Sequence, residues 1–208
     1  MQLCIITGVP LLFTLQPAQK VRVIALVAEN SPALDAVHDH MLQGPRRVYS
    51  GSTGHALMLR GNHRFWQIIK YRMSPNTDAG VPVEAVDYIN AHGTFTPAND
   101  LMETRAIKTV FGRRADQVPI SSTKSMIGHT LGAVGAIEGV ASLLAIHHRF
   151  IPPTIHHRTS DPQCDLDFVA EGARSADLNV VLSNSFAFGG NNTAVVFGKF
   201  TDPGGSHA

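Results

Sequence analysis

Charge is scarce in this chain. Only 16% of its 208 residues are Asp, Glu, Lys or Arg, and they nearly cancel to a net charge of +1. Such a low share points to surface covered by the fold or by a partner. A balance this close to zero gives no footing for nucleic acid or an anionic membrane. Cysteine is scarcer still. Cys4 and Cys164 lie far apart, in neither metal nor redox spacing. A reduced, cytoplasmic setting fits that usage. No apolar run is expected to reach the ~18 residues of a membrane span. The apolar start, residues 1–15, holds no Lys or Arg, whereas a secretory leader wants a basic opening. No cysteine or serine stands in an obvious nucleophile motif.

What the chain does have is apolar bulk and histidine. Hydrophobic residues make up 44%, enough for a sizeable core in one domain with a small appendage. Histidines number 11. The pairs His147-His148 and His156-His157 are sequence neighbours, which point to different sides of a helix or strand and chelate metal poorly. No metal site is expected.

The chain divides near residue 78. Residues 1–77 show no coherent pattern, although Lys20–Glu29 has strand character and Ser31 caps a candidate helix from Pro32 to Gln43. Residues 74–80 (SPNTDAG) read as a linker. After that, order appears. Ala85–Ala91 reads as a strand, Asp100–Phe111 as a helix capped by Asn99 and stopped by Gly112, and Val118–Thr123 as a second strand. A long helix is expected over Thr130–His148. Gly128, Gly132, Gly135 and Gly139 recur at spacings of four, three and four, which aligns them on one face. Each glycine costs about 1 kcal/mol in a helix interior, so close packing and a central, buried helix are expected. Asp165–Val169, Asn179–Ser185 and Thr193–Phe200 read as strands, the last two joined as a hairpin by Phe188-Gly189-Gly190-Asn191-Asn192. Residues 201–208 read as a tail. The fold class is α/β: a mixed sheet packed against a long glycine-rich helix.

Two histidines carry the candidate chemistry. His92 ends the strand in Asn90-Ala91-His92-Gly93-Thr94-Phe95-Thr96-Pro97, with Gly93 permitting a sharp turn and Thr94 and Thr96 presenting hydroxyls. A plainer reading is a loop histidine bonded to backbone. His129 lies five residues after Lys124, just before the long helix, whose unpaired N–H groups add to the positive field. Such a field favours neutral imidazole and steadies a developing anion. A solvent lysine and a capping histidine are the plainer alternative. Glu138, mid-helix among apolar neighbours, is costly unless paired, and Lys124 is its candidate partner; an exposed Glu138 is the alternative. The Asn184–Gly190 run can aim backbone N–H groups at an anion, or it is an ordinary hairpin turn.

NAHGTFTP, SSTKSMIGH, GAVGAIEGVAS, IPPTI, CDLDFV and NSFAFGGNN, in this order over residues 78–200, resemble the C-terminal half of a β-ketoacyl-[acyl-carrier-protein] synthase. The likeness is to the elongating condensing enzymes of fatty acid and type II polyketide synthesis. It implies one half of a thiolase-like fold and a decarboxylative Claisen condensation of an acyl thioester with malonyl-carrier protein. By motif, His92 and His129 match the two family histidines. Lys124 matches the family lysine, and Glu138 the glutamate paired with it. Thr94 and Thr96 match threonines that contact the pantetheine arm. Phe188 matches the gating phenylalanine, with Gly189 and Gly190 supporting it. Phe95 replaces the serine commonly found between the threonines. The resemblance implies acyl carrier protein as partner, a homodimer or partner chain, and no cofactor beyond the carrier's phosphopantetheine.

The departure concerns the nucleophile. The family acylates a cysteine in its N-terminal half, and residues 1–77 carry none of that half's motifs. Cys4 lacks the small-residue turn of a reactive cysteine, and Cys164 matches a structural position. The expectation is a truncated condensing domain, inactive alone in condensation. Its alternatives are a subunit completing a site with another chain and a non-catalytic pantetheine-binding module.

Overall fold

The computed structural model describes residues 12–16, 19–28, 81–170, 172–187 and 191–199. The candidate helix from Pro32 to Gln43, the linker at 74–80 and the tail lie outside them, as do Phe188, Gly189 and Gly190. The described elements are β1 (Leu12–Gln16), β2 (Gln19–Ala28), β3 (Tyr88–Asn90), α1 (Pro97–Phe111), β4 (Ile120–Ser121) and α2 (Lys124–Ile127). They continue with α3 (Val134–His148), β5 (Phe150–Ile151), β6 (Arg174–Ser175), β7 (Val180–Ala187) and β8 (Asn191–Lys199).

One sheet has the order β1-β2-β8-β7-β3-β4. Its β4, β3 and β7 are parallel, while β7, β8, β2 and β1 pair antiparallel. This is the mixed sheet expected, and β2 covers most of the strand read at Lys20–Glu29. Rows of side chains cross it with period two. Ile120, Ile89, Leu182 and Val196 form one row, and Tyr88, Val181 and Phe197 the next. The first row packs with Ile107 and Val110 of α1, the second with Leu143 and Ile146 of α3. The two helices therefore cover opposite faces. The third row is polar: Ser121 and Asn90, the last residues of β4 and β3, stand beside Ser183 of β7. This polar row lies at the C-terminal ends of β3 and β4, where α/β sheets bind ligands.

Local chemistry explains the element limits. Thr96, in extended backbone, caps α1 and Pro97 takes its first position, where a fixed φ is already helical. The cap is therefore Thr96 rather than Asn99, which is buried and donates to Asp100 Oδ1 at 3.0 Å. Gly112, at φ +55°, ends α1 as expected. The strand read at Val118–Thr123 shortens to Ile120–Ser121, because β3 offers only three residues to pair with. Asp165–Val169 is not a strand. It gives β4 a single backbone bond, Ile120 N–H to Asp167 O at 2.8 Å, and Val169 turns away at φ +41°.

The long helix differs from expectation. It begins at Val134, after a 3₁₀ turn at Leu131–Ala133. Gly128 and Gly132 thus precede it. Only Gly139, whose added Cβ would lie 3.3 Å from Phe197 Cζ, is held close to the sheet, with Gly135 in looser contact at 3.6 Å from Ser185 Oγ. Nor is α3 buried all round: Ile137, Val140 and Leu144 are exposed along its other side, as is Leu131 before it. Leu131–His148 is also long and apolar enough by composition for a membrane span, contrary to expectation; its inner side packs as a core helix.

Candidate active site

The His92 loop is anchored by a residue the sequence reading passed over. Glu103 of α1 is buried, and its Oε1 and Oε2 accept the backbone N–H groups of His92 and Gly93 at 3.0 Å each. Asn184 of β7 donates its Nδ2 to the same Oε1 at 3.3 Å. Burial pushes the Glu103 carboxyl above the usual carboxylate range, against the pull of these donors. A signal was present: Asn99, Glu103, Ile107 and Val110 follow helical spacing, and all four are buried. A carboxylate on an apolar stripe must find donors.

A second tie joins the two histidine loops. Ser122, just past β4, donates its hydroxyl to the Gly93 carbonyl at 2.7 Å. Gly93 sits at φ +40°, and a Cβ there would stand 2.6 Å from Ser122 Cβ. Only glycine allows this contact. The Ser122 N–H in turn reaches Thr154 Oγ1 at 3.0 Å, and Ser125 Oγ accepts from Ile155 N–H at 3.0 Å, pinning α2 to the following chain.

These ties bring His92 and His129 together. Their ring centroids are 5.5 Å apart and nearly perpendicular, at 86°. His92 is buried, with the Phe186 ring 5.1 Å away. Burial, then Lys124, then His129 push its pKa down to about 3, so it is neutral at physiological pH. Its Nδ1 is buried and has no hydrogen-bond partner among the described residues. His129 is exposed, and its pKa is lowered by partial burial and by Lys124. Its Nδ1 accepts the Leu131 N–H at 3.2 Å. In the neutral ring the proton must then sit on Nε2, leaving that atom a free donor.

Beneath the rings lies an ion pair. Lys124, at the start of α2, bonds Glu138 Oε1, and both are buried. The exposed alternative for Glu138 does not hold. Burial raises the Glu138 carboxyl to about 7, with Lys124 opposing the rise. The polar row supports the pair from the sheet side. Asn90 Nδ2 donates to Glu138 O at 3.3 Å and Ser142 Oγ at 3.4 Å, while Thr123 Oγ1 donates to Asn90 Oδ1 at 3.4 Å.

The hydroxyls of Thr94 and Thr96 bond each other at 2.9 Å, and Phe95 between them takes φ +59°. Cys164 is half-buried, and burial followed by nearby carboxylates raises its thiol. That is the reverse of an activated nucleophile. Among the described residues no group of three or more His, Cys, Asp or Glu converges as a metal site would require.

A mixed sheet with two neutral imidazoles beyond the ends of its parallel strands, and a buried lysine–glutamate pair joining α2 to α3, defines the class: one half of a thiolase-like α/β fold. Residues 74–158 match the family described as "Beta-ketoacyl synthase, C-terminal domain". The chain is 53% identical over 123 residues to 3-oxoacyl-[acyl-carrier-protein] synthase 2 of Synechocystis, covering 59% of this chain and 30% of that one. To the enzyme of the same name from Coxiella burnetii it is 54% identical over 125 residues, covering 60% and 30%. It therefore spans about 30% of the length of these relatives. Among solved structures, the ishigamide ketosynthase/chain length factor is 46% identical with a TM-score of 0.59, covering 63% of this chain and 32% of that one. A β-ketoacyl synthase from Burkholderia phymatum is 31% identical with a TM-score of 0.63, covering 87% and 38%, a match that reaches beyond residues 78–200.

Proposed function

We propose that this chain supplies the decarboxylation and oxyanion part of a decarboxylative Claisen condensation. The observation that carries the reading is the pair of neutral imidazoles, 5.5 Å apart, set over the Lys124–Glu138 pair. A malonyl thioester bound between them loses carbon dioxide, and the electrons of the broken C–C bond pass to the thioester oxygen as an enolate. His92 and His129 donate N–H bonds to that oxygen, and the buried Lys124 charge adds a favourable field. Donors held in place need no reorganisation as the charge forms. The enolate carbon then attacks an acyl thioester and expels its thiolate. Thr94 and Thr96 hold the amides of the pantetheine arm.

The acyl thioester forms on a thiol other than Cys164, which is raised rather than activated. Acyl carrier protein delivers both substrates, in a soluble cytoplasmic setting, with no cofactor but its phosphopantetheine. Two solved relatives support that partnership: a type II polyketide ketosynthase in complex with its acyl carrier protein, and a ketosynthase with its chain length factor from Xenorhabdus doucetiae. The raised Cys164 thiol equally suits a second reading, a pantetheine-binding subunit with no chemistry of its own.

Carbon dioxide release from malonyl-carrier protein separates the two. The first reading expects release by the purified chain, reduced about 100-fold by His92→Ala and by His129→Ala, the scale of a lost oxyanion donor. Release that survives both substitutions removes these residues from the mechanism. Binding without release leaves the second reading.

A further inference from the structure

Seven large apolar side chains among the described residues are exposed, and Phe95, at 89%, is the most exposed of them. The other six lie between Met126 and Leu144; Phe95 alone stands on the His92 loop. Its backbone is also in the left-handed region, at φ +59°. A bulky residue there is strained relative to Gly or Asn. Among the described residues, Phe95 is therefore an aromatic ring left in water on a strained backbone, with little packing to offset either cost. Strain of this kind persists where a ligand uses it.

The neighbours of Phe95 say which ligand. Thr94 and Thr96 flank it, their hydroxyls 2.9 Å apart and bonded to each other. One of those hydroxyls donates to the other, which leaves a single free O–H and several lone pairs, a set suited to an amide. Three residues in a row thus present a polar pair and an apolar plate, next but one to the reacting imidazole. A pantetheine arm has the complementary pattern: amides alternate with methylenes and a carbon bearing two methyl groups.

We infer that Phe95 packs against the apolar part of the pantetheine arm and sets this chain's affinity for it; the inference rests on the condensing reading above. Binding is measured by calorimetry with free pantetheine and with holo-carrier protein, on the full chain and on Phe95→Ser and Phe95→Leu. Phe95→Ser is expected to weaken pantetheine binding about fivefold to tenfold, while Phe95→Leu, which keeps an apolar side chain, stays within about twofold. In carbon dioxide release, Phe95→Ser raises KM more than it lowers kcat. Unchanged pantetheine binding in Phe95→Ser overturns the inference and leaves the condensing reading standing. So does a loss confined to the carrier protein, which would put the ring on that protein's surface instead. Pantetheine binding that depends on Phe95, in a chain that releases no carbon dioxide, upholds the contact and overturns the chemistry. If the unaltered chain binds no pantetheine, both fall.

Discussion

A backbone N–H decides what His129 can donate. With Leu131 N–H on Nδ1, the neutral ring offers Nε2–H alone. His92 is neutral for a different reason, since burial leads the causes that lower it to about 3. That shift has a consequence for stability. The unfolded chain binds a proton at His92 below pH 6.5, and the folded chain does not until about pH 3. Stability from this group is therefore full above pH 6.5 and declines as pH falls toward 3. In urea unfolding, the native chain should lose up to about 1.4 kcal/mol per pH unit between pH 6 and pH 4 relative to His92→Gln. Parallel slopes for the two proteins would show that His92 is not held neutral by the fold. At this scale the sequence was legible where a residue broke its local pattern. Glu138 stood out among apolar neighbours, and its pairing with Lys124 is present. Glu103 was passed over, although it lies on the buried stripe of α1. Its partners, the His92 and Gly93 backbone and Asn184, are brought to it only by the fold.

The elements show which periodicities decided their own geometry. The existence of α1 and α3 followed from helical spacing, because burial on one face selects that spacing, and β7 and β8 from apolar runs flanking a glycine-rich turn, whereas the alternating run Asp165–Val169 is no strand. The ends of these elements did not, since pairing length and capping belong to the neighbours. The glycine ladder illustrates the difference. Gly132 lies in a 3₁₀ turn with nothing within 4 Å of an added Cβ, whereas Gly139 faces the Phe197 ring at 3.3 Å. Opposite responses are expected. Gly132→Ala should stabilise by about 0.4–1 kcal/mol through the unfolded chain. Gly139→Leu should destabilise by about 1–3 kcal/mol through overpacking against β8. Thermal melts of the two variants shifting in the same direction would contradict this placement of α3.

Across the whole molecule, the two faces of the sheet are unequally finished. α1 closes one. α3 closes the other but leaves Ile137, Val140 and Leu144 on its outer side, with Leu131 near its start. The scarcity of charge noted at the outset has its counterpart here, as no charged side chain is exposed between Leu131 and His147. An apolar stripe of this kind favours association. The purified chain should therefore shift to larger species with concentration in sedimentation velocity. Val140→Lys with Leu144→Lys should reverse that shift and leave the circular dichroism spectrum unchanged. A chain that stays monomeric at high concentration without these changes would show the stripe to be covered.

The Glu103 anchor separates shape from reactivity. It grips the peptide groups of residues 92 and 93 and leaves the imidazole untouched. Any residue with a main-chain N–H meets its requirement, so position 92 can change its side chain while the loop keeps its course. The same architecture is thus a socket into which variation can fit new headgroups without first rebuilding the walls.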